Sequence, residues 1–183
     1  MTFSLSEVQL LLAAPQAAGG YLSPGSVYNS LGRWASTTQL DASVPLNNLF
    51  PDLTGPQNAA SQVDYQCLFV YNSDTVSTMA NVYAWIPSSG VIGAVAWAVG
   101  ADTTLASAYD ATGTPQAGYI SAPTIAPSTV PAWYAPSAAS SGGAPLPSIA
   151  PGEVVAFWVR RTAVNSPAYA GAGFNLQVTF DVM

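Results

Sequence analysis

Aspartate and glutamate are the main residues in this sequence that could act as general acids or bases in catalysis. The sequence contains no histidine and no lysine. This excludes Ser-His-Asp and Cys-His catalysis, histidine metal sites, the Walker A lysine and Schiff-base chemistry. A glycosidase would require two carboxylates held about 5–10 Å apart, and no spacing in the sequence indicates such a pair.

Three of the candidate acids, Asp74, Asp110 and Glu153, lie in turns or at a strand start, where a carboxylate commonly accepts hydrogen bonds from nearby backbone groups. The candidates are Asp64, Asp74, Asp102, Asp110, Glu153 and Asp181. Neither a calcium-loop pattern nor an aspartic-protease signature is present. We therefore predict no catalytic residue, no metal site and no cofactor.

The charge content limits the partners that the protein can bind. Only 7% of the 183 residues are charged, and the net charge is −6. Three arginines cannot neutralise a run of phosphates, so we expect no nucleic-acid binding. Half of the residues are hydrophobic, which predicts a folded chain rather than a disordered one. With so few charges, we also expect partner molecules to cover much of the surface of the protein.

The sequence shows no sign of export or membrane insertion. The single Cys67 has no partner for an internal disulfide. The apolar run at residues 10–14 is too short to span a membrane, and the N-terminus lacks the basic region of a secretory signal. We therefore expect that the protein folds in a cytoplasm and does not associate with a membrane.

Residues 1–62 differ in pattern from the rest of the chain, and we interpret them as an N-terminal arm. Ser4 and Glu7 could form a capping box at the start of a short amphipathic helix over residues 5–14, which Pro15 would end. A strand is the competing interpretation, because the apolar residues also alternate between positions 8 and 12.

The rest of the arm is rich in Gly, Pro, Ser, Asn and Gln, with large apolar side chains between them. Such a composition predicts turns and extended backbone. We consider Tyr28, Trp34, Leu49 and Phe50 as candidate partner-binding anchors. The two interpretations, an arm lying on a partner and a loop packed on its own domain, have equal weight.

Residues 63–183 predict an all-β domain. Short runs rich in β-branched and aromatic residues alternate with Gly, Pro and Ser turns, with no long helical pattern between them. The clearest run is at 174–182, where apolar and polar residues alternate strictly. We expect an antiparallel β-sandwich, jelly-roll or Ig-like, preceded by the extended, mostly irregular arm.

Arg160 and Arg161 must face opposite sides of a strand, because successive side chains alternate. One interpretation places both at the strand end, with their charged groups in water or paired to an acid. The other has one arginine forming a bidentate pair with a carboxylate, Asp64 or Asp181. Cys67, inside an apolar run, is expected to be a small buried core residue.

Three stretches of the sequence together resemble small virion proteins of tailed bacteriophages. They are Asn48-Leu49-Phe50 followed by Gly55 and DYQCLFVYN (64–72), NVYAWI (81–86), and the segment 150–182 with its PGE, WVRRT and GFNLQV pieces. Residues 87–149 lie outside the resemblance. The resemblance implies a structural role in the virion and no catalytic residues.

The expected function is therefore that of a non-enzymatic virion structural protein, most simply a capsid cement or decoration protein that binds the major capsid protein. Its expected partners are virion proteins and further copies of itself, and its expected locations are the virion and, during assembly, the host cytoplasm. One alternative is a tail, neck or baseplate component. Another is a carbohydrate-binding host-attachment module in which Trp133 and Tyr134 stack on sugar rings.

Overall fold

The structure is a computed structural model that describes residues 7–14, 24–41, 43, 48–93, 95–109, 114–165 and 172–183. The described residues form eleven strands and one short α-helix, α1 (Gly55–Ala59). The strands are β1 (Val8–Ala13), β2 (Ala35–Gln39), β3 (Val63–Asn72), β4 (Met79–Trp85), β5 (Val91–Ile92), β6 (Val95–Ala101), β7 (Ser107–Ala108), β8 (Ala144–Leu146), β9 (Glu153–Ala163), β10 (Gly173–Phe174) and β11 (Gln177–Val182).

Strands β2, β1, β3, β9 and β6 lie side by side in a six-stranded sheet, and β7 pairs with one end of β9. A smaller sheet has the order β11-β4-β8, and β10 pairs with β5. Every strand pair is antiparallel. The two larger sheets pack face to face, which confirms the predicted all-β sandwich.

The main core fills the space between the two sheets. The six-stranded sheet contributes alternate residues such as Leu68, Phe157 and Val159, and the smaller sheet contributes residues such as Met79 and Val82. All five are almost completely buried. The alternation predicted for residues 174–182 holds for Phe174, Leu176, Val178 and Phe180, which pack against this core, but Val182 is 47% exposed. The run is also divided between β10 and β11, which belong to different sheets.

The N-terminal segment contains a strand where the sequence predicted a helix over residues 5–14. Among the described part of that range, β1 pairs with β3 from Val8↔Asn72 to Leu12↔Leu68. Leu12 faces the main core, whereas Leu11 and Ala13 face the opposite side of the sheet. Apolar residues are therefore buried on both faces, which a strand inside a sheet achieves and a one-sided amphipathic helix does not.

The predicted division at residues 62 and 63 does not separate an arm from a sandwich. β1 lies inside the six-stranded sheet, between β2 and β3. Beyond the end of β1, the edge of β3 is continued by other backbone groups. Cys67 N–H donates to the Ser30 carbonyl at 2.6 Å, and Tyr65 N–H donates to the Pro123 carbonyl at 2.7 Å. The described residues before position 63 are thus part of the sandwich.

The second face of the six-stranded sheet is covered by loops. We name residues 30–34, 102–105, 109 and 114–133 the loop layer. Its apolar side chains, among them Leu31 and Ile120, pack on Cys67, Phe69 and Trp158 of the sheet, and these residues form the outer core. The six-stranded sheet therefore has a second sheet on one face and loops on the other.

Candidate interaction surface

The four anchors proposed from the sequence separate into two buried and two surface residues. Leu49 and Phe50 are only 1% and 6% exposed and belong to the main core. They pack on their own chain, so they are not available to a partner, and the interpretation as a self-packed loop describes them correctly. The sequence pattern marks them as residues that must be buried but does not identify the surface that buries them.

Tyr28 and Trp34 remain at the surface. Tyr28 is 40% exposed and has a positive φ of 69°. Trp34 is half-buried, and the guanidinium carbon of Arg33 lies 4.4 Å from the centroid of its ring. The indole N–H of Trp34 is buried and has no acceptor among the described residues. Of the four predicted anchors, these are the two that can still contact another molecule.

Arg33 is held in a strained conformation. Its φ is 82°, in the left-handed region that non-glycine residues adopt rarely and at a cost of the order of 1 kcal/mol. Two backbone bonds fix it: Arg33 N–H donates to the Gly118 carbonyl at 3.0 Å, and Gln116 N–H donates to the Arg33 carbonyl at 2.6 Å. The neighbouring Gly32 touches Trp158 and Gly118 so closely that a Cβ there would lie 1.9 Å from the Gly118 carbonyl oxygen.

A buried carboxylate holds the loop layer on the sheet. Asp102, 4% exposed, accepts hydrogen bonds on one oxygen from the Trp158 indole at 2.8 Å, from Gly118 N–H at 3.0 Å and from the Thr129 hydroxyl. Its other oxygen accepts from Thr104 N–H at 2.9 Å. A buried carboxylate can be stabilised by several such donors in place of a cation. Asp102 therefore has a structural role.

Two further buried polar side chains complete this attachment. Gln116 accepts from Ala35 N–H at 2.9 Å and donates to the Ala108 carbonyl at 2.7 Å. The Ser30 hydroxyl accepts from Ala13 N–H at 2.6 Å and donates to the Cys67 carbonyl. Loop backbone that is buried must find hydrogen-bond partners outside regular structure. No sequence pattern distinguishes these residues, because Ser and Gln in a turn-rich stretch have the same pattern as exposed loop residues.

The two neighbouring arginines on β9 face opposite sides of the sheet, as the strand alternation predicts. Arg161 faces the main core and forms a buried ion pair with Asp64 on β3, with 2.6 Å between Nη2 and Oδ2. Its Nε donates to the same oxygen at 3.2 Å, and Nη1 donates to the Pro51 carbonyl. The carboxylate pairing with Asp64 is thus found, through one oxygen rather than two, while Asp181 is bonded to Asn81.

Arg160 lies on the loop-layer side. Its guanidinium carbon is 4.9 Å from the centroid of the Trp133 ring, which in turn lies 5.4 Å from the ring of Tyr65. Cation–π stacking of this kind is worth about 0.5–1 kcal/mol at an exposed site. Tyr134 packs instead against the main core, and its backbone pairs with Val99. Trp133 and Tyr134 therefore lie on opposite sides of the sheet and do not form one platform for a sugar ring.

Four titratable side chains have pKa values that their immediate surroundings shift. Hydrogen bonds from the Ser77 region and from Ser43 lower the pKa values of Asp74 and Asp41, respectively. Burial, with a smaller contribution from the charge of Asp102, raises the pKa of the Cys67 thiol well above its usual value, so this thiol is unreactive in the folded state. Burial likewise raises the pKa of Tyr109. Asp110 lies outside the described residues.

An open cavity of about 410 Å³ lies beside Leu12, Val27 and Thr38. Asp41 is the one titratable group among its described lining residues, and its carboxylate accepts from Ser43. The Thr38 hydroxyl accepts from Gly25 N–H at 2.9 Å. The cavity therefore brings together no pair of catalytic groups.

No group of three or more potential metal ligands occurs among the described residues. Within the same part of the chain, no helix has both the length and the apolar character that crossing a membrane requires. Comparisons with protein-family models, with curated proteins and with solved structures found no match for this chain.

Proposed function

We propose that this protein is a non-enzymatic structural component of a tailed-phage virion, with capsid cement or decoration as its role and the major capsid protein as its principal partner. The observation that carries the proposal is how the described polar side chains are used. Asp102, Gln116, Ser30 and the Arg161–Asp64 pair hold the sandwich together rather than lining a cleft. The sequence resemblance in 48–72, 81–86 and 150–182 supplies the virion setting.

The surface chemistry supports the same proposal. Only 7% of the residues are charged, and a surface with so few charges is poorly protected against association. Large apolar side chains that are at least one-third exposed include Leu105, Tyr119 and Ile125 in the loop layer and Val182 near the end of β11. Such a surface suits a protein that functions in a permanent assembly.

A tail, neck or baseplate position is the alternative within the same class, and copy number separates the two. The experiment is quantitative mass spectrometry of purified particles that contain this chain, with the major capsid protein as internal standard. Hundreds of copies per particle support the capsid role, and a dozen or fewer support the tail role. Absence of the protein from purified particles would refute the virion proposal itself.

The carbohydrate-binding alternative has less support from the geometry, because Arg160 stacks on the Trp133 ring and Tyr134 packs against the main core on the opposite side of the sheet. A glycan array with the purified protein tests it directly. Binding that Trp133→Ala abolishes, with the fold retained, would favour that alternative over a purely structural role.

A further inference from the structure

The loop layer differs in charge from the rest of the molecule. Asp102 is the one acidic residue in the loop layer as defined above, and it is buried. Arg33 belongs to this layer, and Arg160 lies against it on Trp133. Two of the three positive charges of a chain with net charge −6 therefore lie on one side of the sandwich.

The guanidinium groups of these two arginines make no hydrogen bond and no ion pair with any residue that the structure describes, in contrast to Arg161, which uses its donors on Asp64 and Pro51. Each is instead stacked on a tryptophan ring, Arg33 on Trp34 and Arg160 on Trp133. Stacking on the ring leaves the five N–H donors of a guanidinium free to bind a carboxylate. The geometry restricts both side chains before any partner arrives, which lowers the entropic cost of binding.

Arg33 and Arg160 both lie on the Trp158 side of the six-stranded sheet. Arg160 follows Trp158 by two positions on β9 and therefore shares its face of the sheet. Gly32, the residue before Arg33, contacts the Trp158 ring from the loop layer. The apolar side chains of Tyr119 and Ile125 are exposed in the same layer, 39% and 46% respectively. The layer thus combines positive charge with apolar surface.

The opposite side of the sandwich presents a carboxylate. On β11, Val178 and Phe180 pack toward the main core, whereas Asp181, which pairs with Ala80 of β4, lies on the other face of the strand. The Thr179 hydroxyl on that face is buried. Asp181 is exposed and accepts one hydrogen bond, from the Asn81 amide at 2.7 Å. Asn81 has a positive φ of 48° at the irregularity in the β4–β11 register, which turns its side chain toward Asp181.

We propose that copies of this chain associate front to back, with Arg33 and Arg160 of one copy binding the face of the next copy that carries Asp181. A second copy is the occupant because each chain carries both complementary surfaces on opposite sides. Contact between two identical loop layers would instead oppose guanidinium groups of like charge. A front-to-back contact is heterologous and continues from copy to copy, giving a ring or an open array.

The experiment is sedimentation velocity of the full-length protein over a concentration series at low salt. The wild-type protein should show assembly that increases with concentration and weakens as sodium chloride is added, because salt screens the contact. Arg33→Gln and Arg160→Gln should each raise the dissociation constant by about tenfold or more. Gln39→Glu, which makes the same change in net charge at an exposed position of β2, should leave it unchanged.

Charge reversal makes the test specific. The double variant Arg33→Glu/Arg160→Glu and the single variant Asp181→Arg should each sediment as monomers, and an equimolar mixture of the two should assemble again. Thermal unfolding of each variant shows that the fold is retained. A wild-type protein that stays monomeric up to millimolar concentration would overturn the proposal, and so would a mixture that stays monomeric.

This inference adds a contact between copies to the proposed virion role and rests on that role for its biological setting. The two can fail separately. Absence from purified particles refutes the virion role, whereas monomeric behaviour of the purified chain refutes the front-to-back contact.

Discussion

One face of the six-stranded sheet is covered by a second sheet, and the other face is covered by loops. The main core between the sheets is built almost entirely from apolar side chains, with the Arg161–Asp64 pair at one end. The outer core under the loop layer also has buried apolar residues, but Asp102, Gln116 and Ser30 hold it in place. Strands satisfy their own backbone groups, whereas buried loops require side chains to do so.

The difference between the two faces of the sheet also explains why the adjacent Arg160 and Arg161 have different roles. Arg161 is 6% exposed and faces the main core, so its charge requires the carboxylate of Asp64. Arg160 is half-buried on the loop-layer side, where water and the Trp133 ring suffice. Among the described residues, its guanidinium donors therefore have no acceptor.

The largest expected effect comes from removing residues 1–60. This deletion removes β1 and β2 from the six-stranded sheet, Ser30 from the edge of β3, and Leu49 and Phe50 from the main core. We expect no cooperative unfolding transition, in contrast to the independent folding that the arm interpretation implies. Circular dichroism with thermal melting is the measurement, and a shortened chain that melts like a folded β protein would show that the main core does not require β1.

The second effect concerns the ion pair at the end of the main core. Asp64→Ala leaves Arg161 buried without its partner and should lower the free energy of unfolding by about 3–5 kcal/mol. The double variant Asp64→Leu/Arg161→Met should recover most of this loss, because it removes both charges from the buried site. Denaturant unfolding of the single and double variants measures the coupling energy between the two side chains. If the changes in the free energy of unfolding are additive, the two side chains do not depend on each other.

A third, smaller effect tests the attachment of the loop layer. Asp102→Ala removes the acceptor of Trp158, Gly118 and Thr129, and should cost about 1–3 kcal/mol. Cys67 lies beneath this layer, and its thiol should react with a labelling reagent only when the layer opens. We expect Asp102→Ala to increase the labelling rate of Cys67 by more than its loss of global stability alone would produce.

Asp102→Asn is the matched control for this labelling experiment. It removes the charge that contributes to the raised pKa of the Cys67 thiol, as alanine does, but keeps an oxygen acceptor. Its labelling rate should therefore lie nearer to the wild-type rate. If the labelling rates of the wild type, Asp102→Ala and Asp102→Asn depend only on their global stability, the two cores open together.

The smallest expected effect is that of Arg160→Gln. Loss of the stacking on Trp133 should change the free energy of unfolding by less than about 1 kcal/mol. Arg161→Gln, one residue along the same strand, should cost several times more because it leaves Asp64 buried and unpaired. Denaturant unfolding of the two variants side by side is the measurement, and equal losses would contradict the assignment of the two arginines to different faces.

Local patterns in the sequence were sufficient to predict the all-β class and most strands after residue 63. The alternation in 174–182 identified which side chains face the core, and the apolar context of Cys67 identified it as buried. These features depend on residues that are neighbours along the chain, so the sequence contains them directly. The absence of histidine and lysine likewise excluded whole classes of chemistry without any structure.

The tertiary structure alone decided what each segment packs against. Residues 8–13 fit a helix or a strand, and pairing with β3 selected the strand. Leu49 and Phe50 required burial, and the sandwich itself supplied the surface. Arg161 could reach more than one acid, and the register of β3 against β9 placed Asp64 opposite it. Each outcome depends on contacts between residues far apart along the chain, because sheet pairing and register, rather than local spacing, bring those residues together.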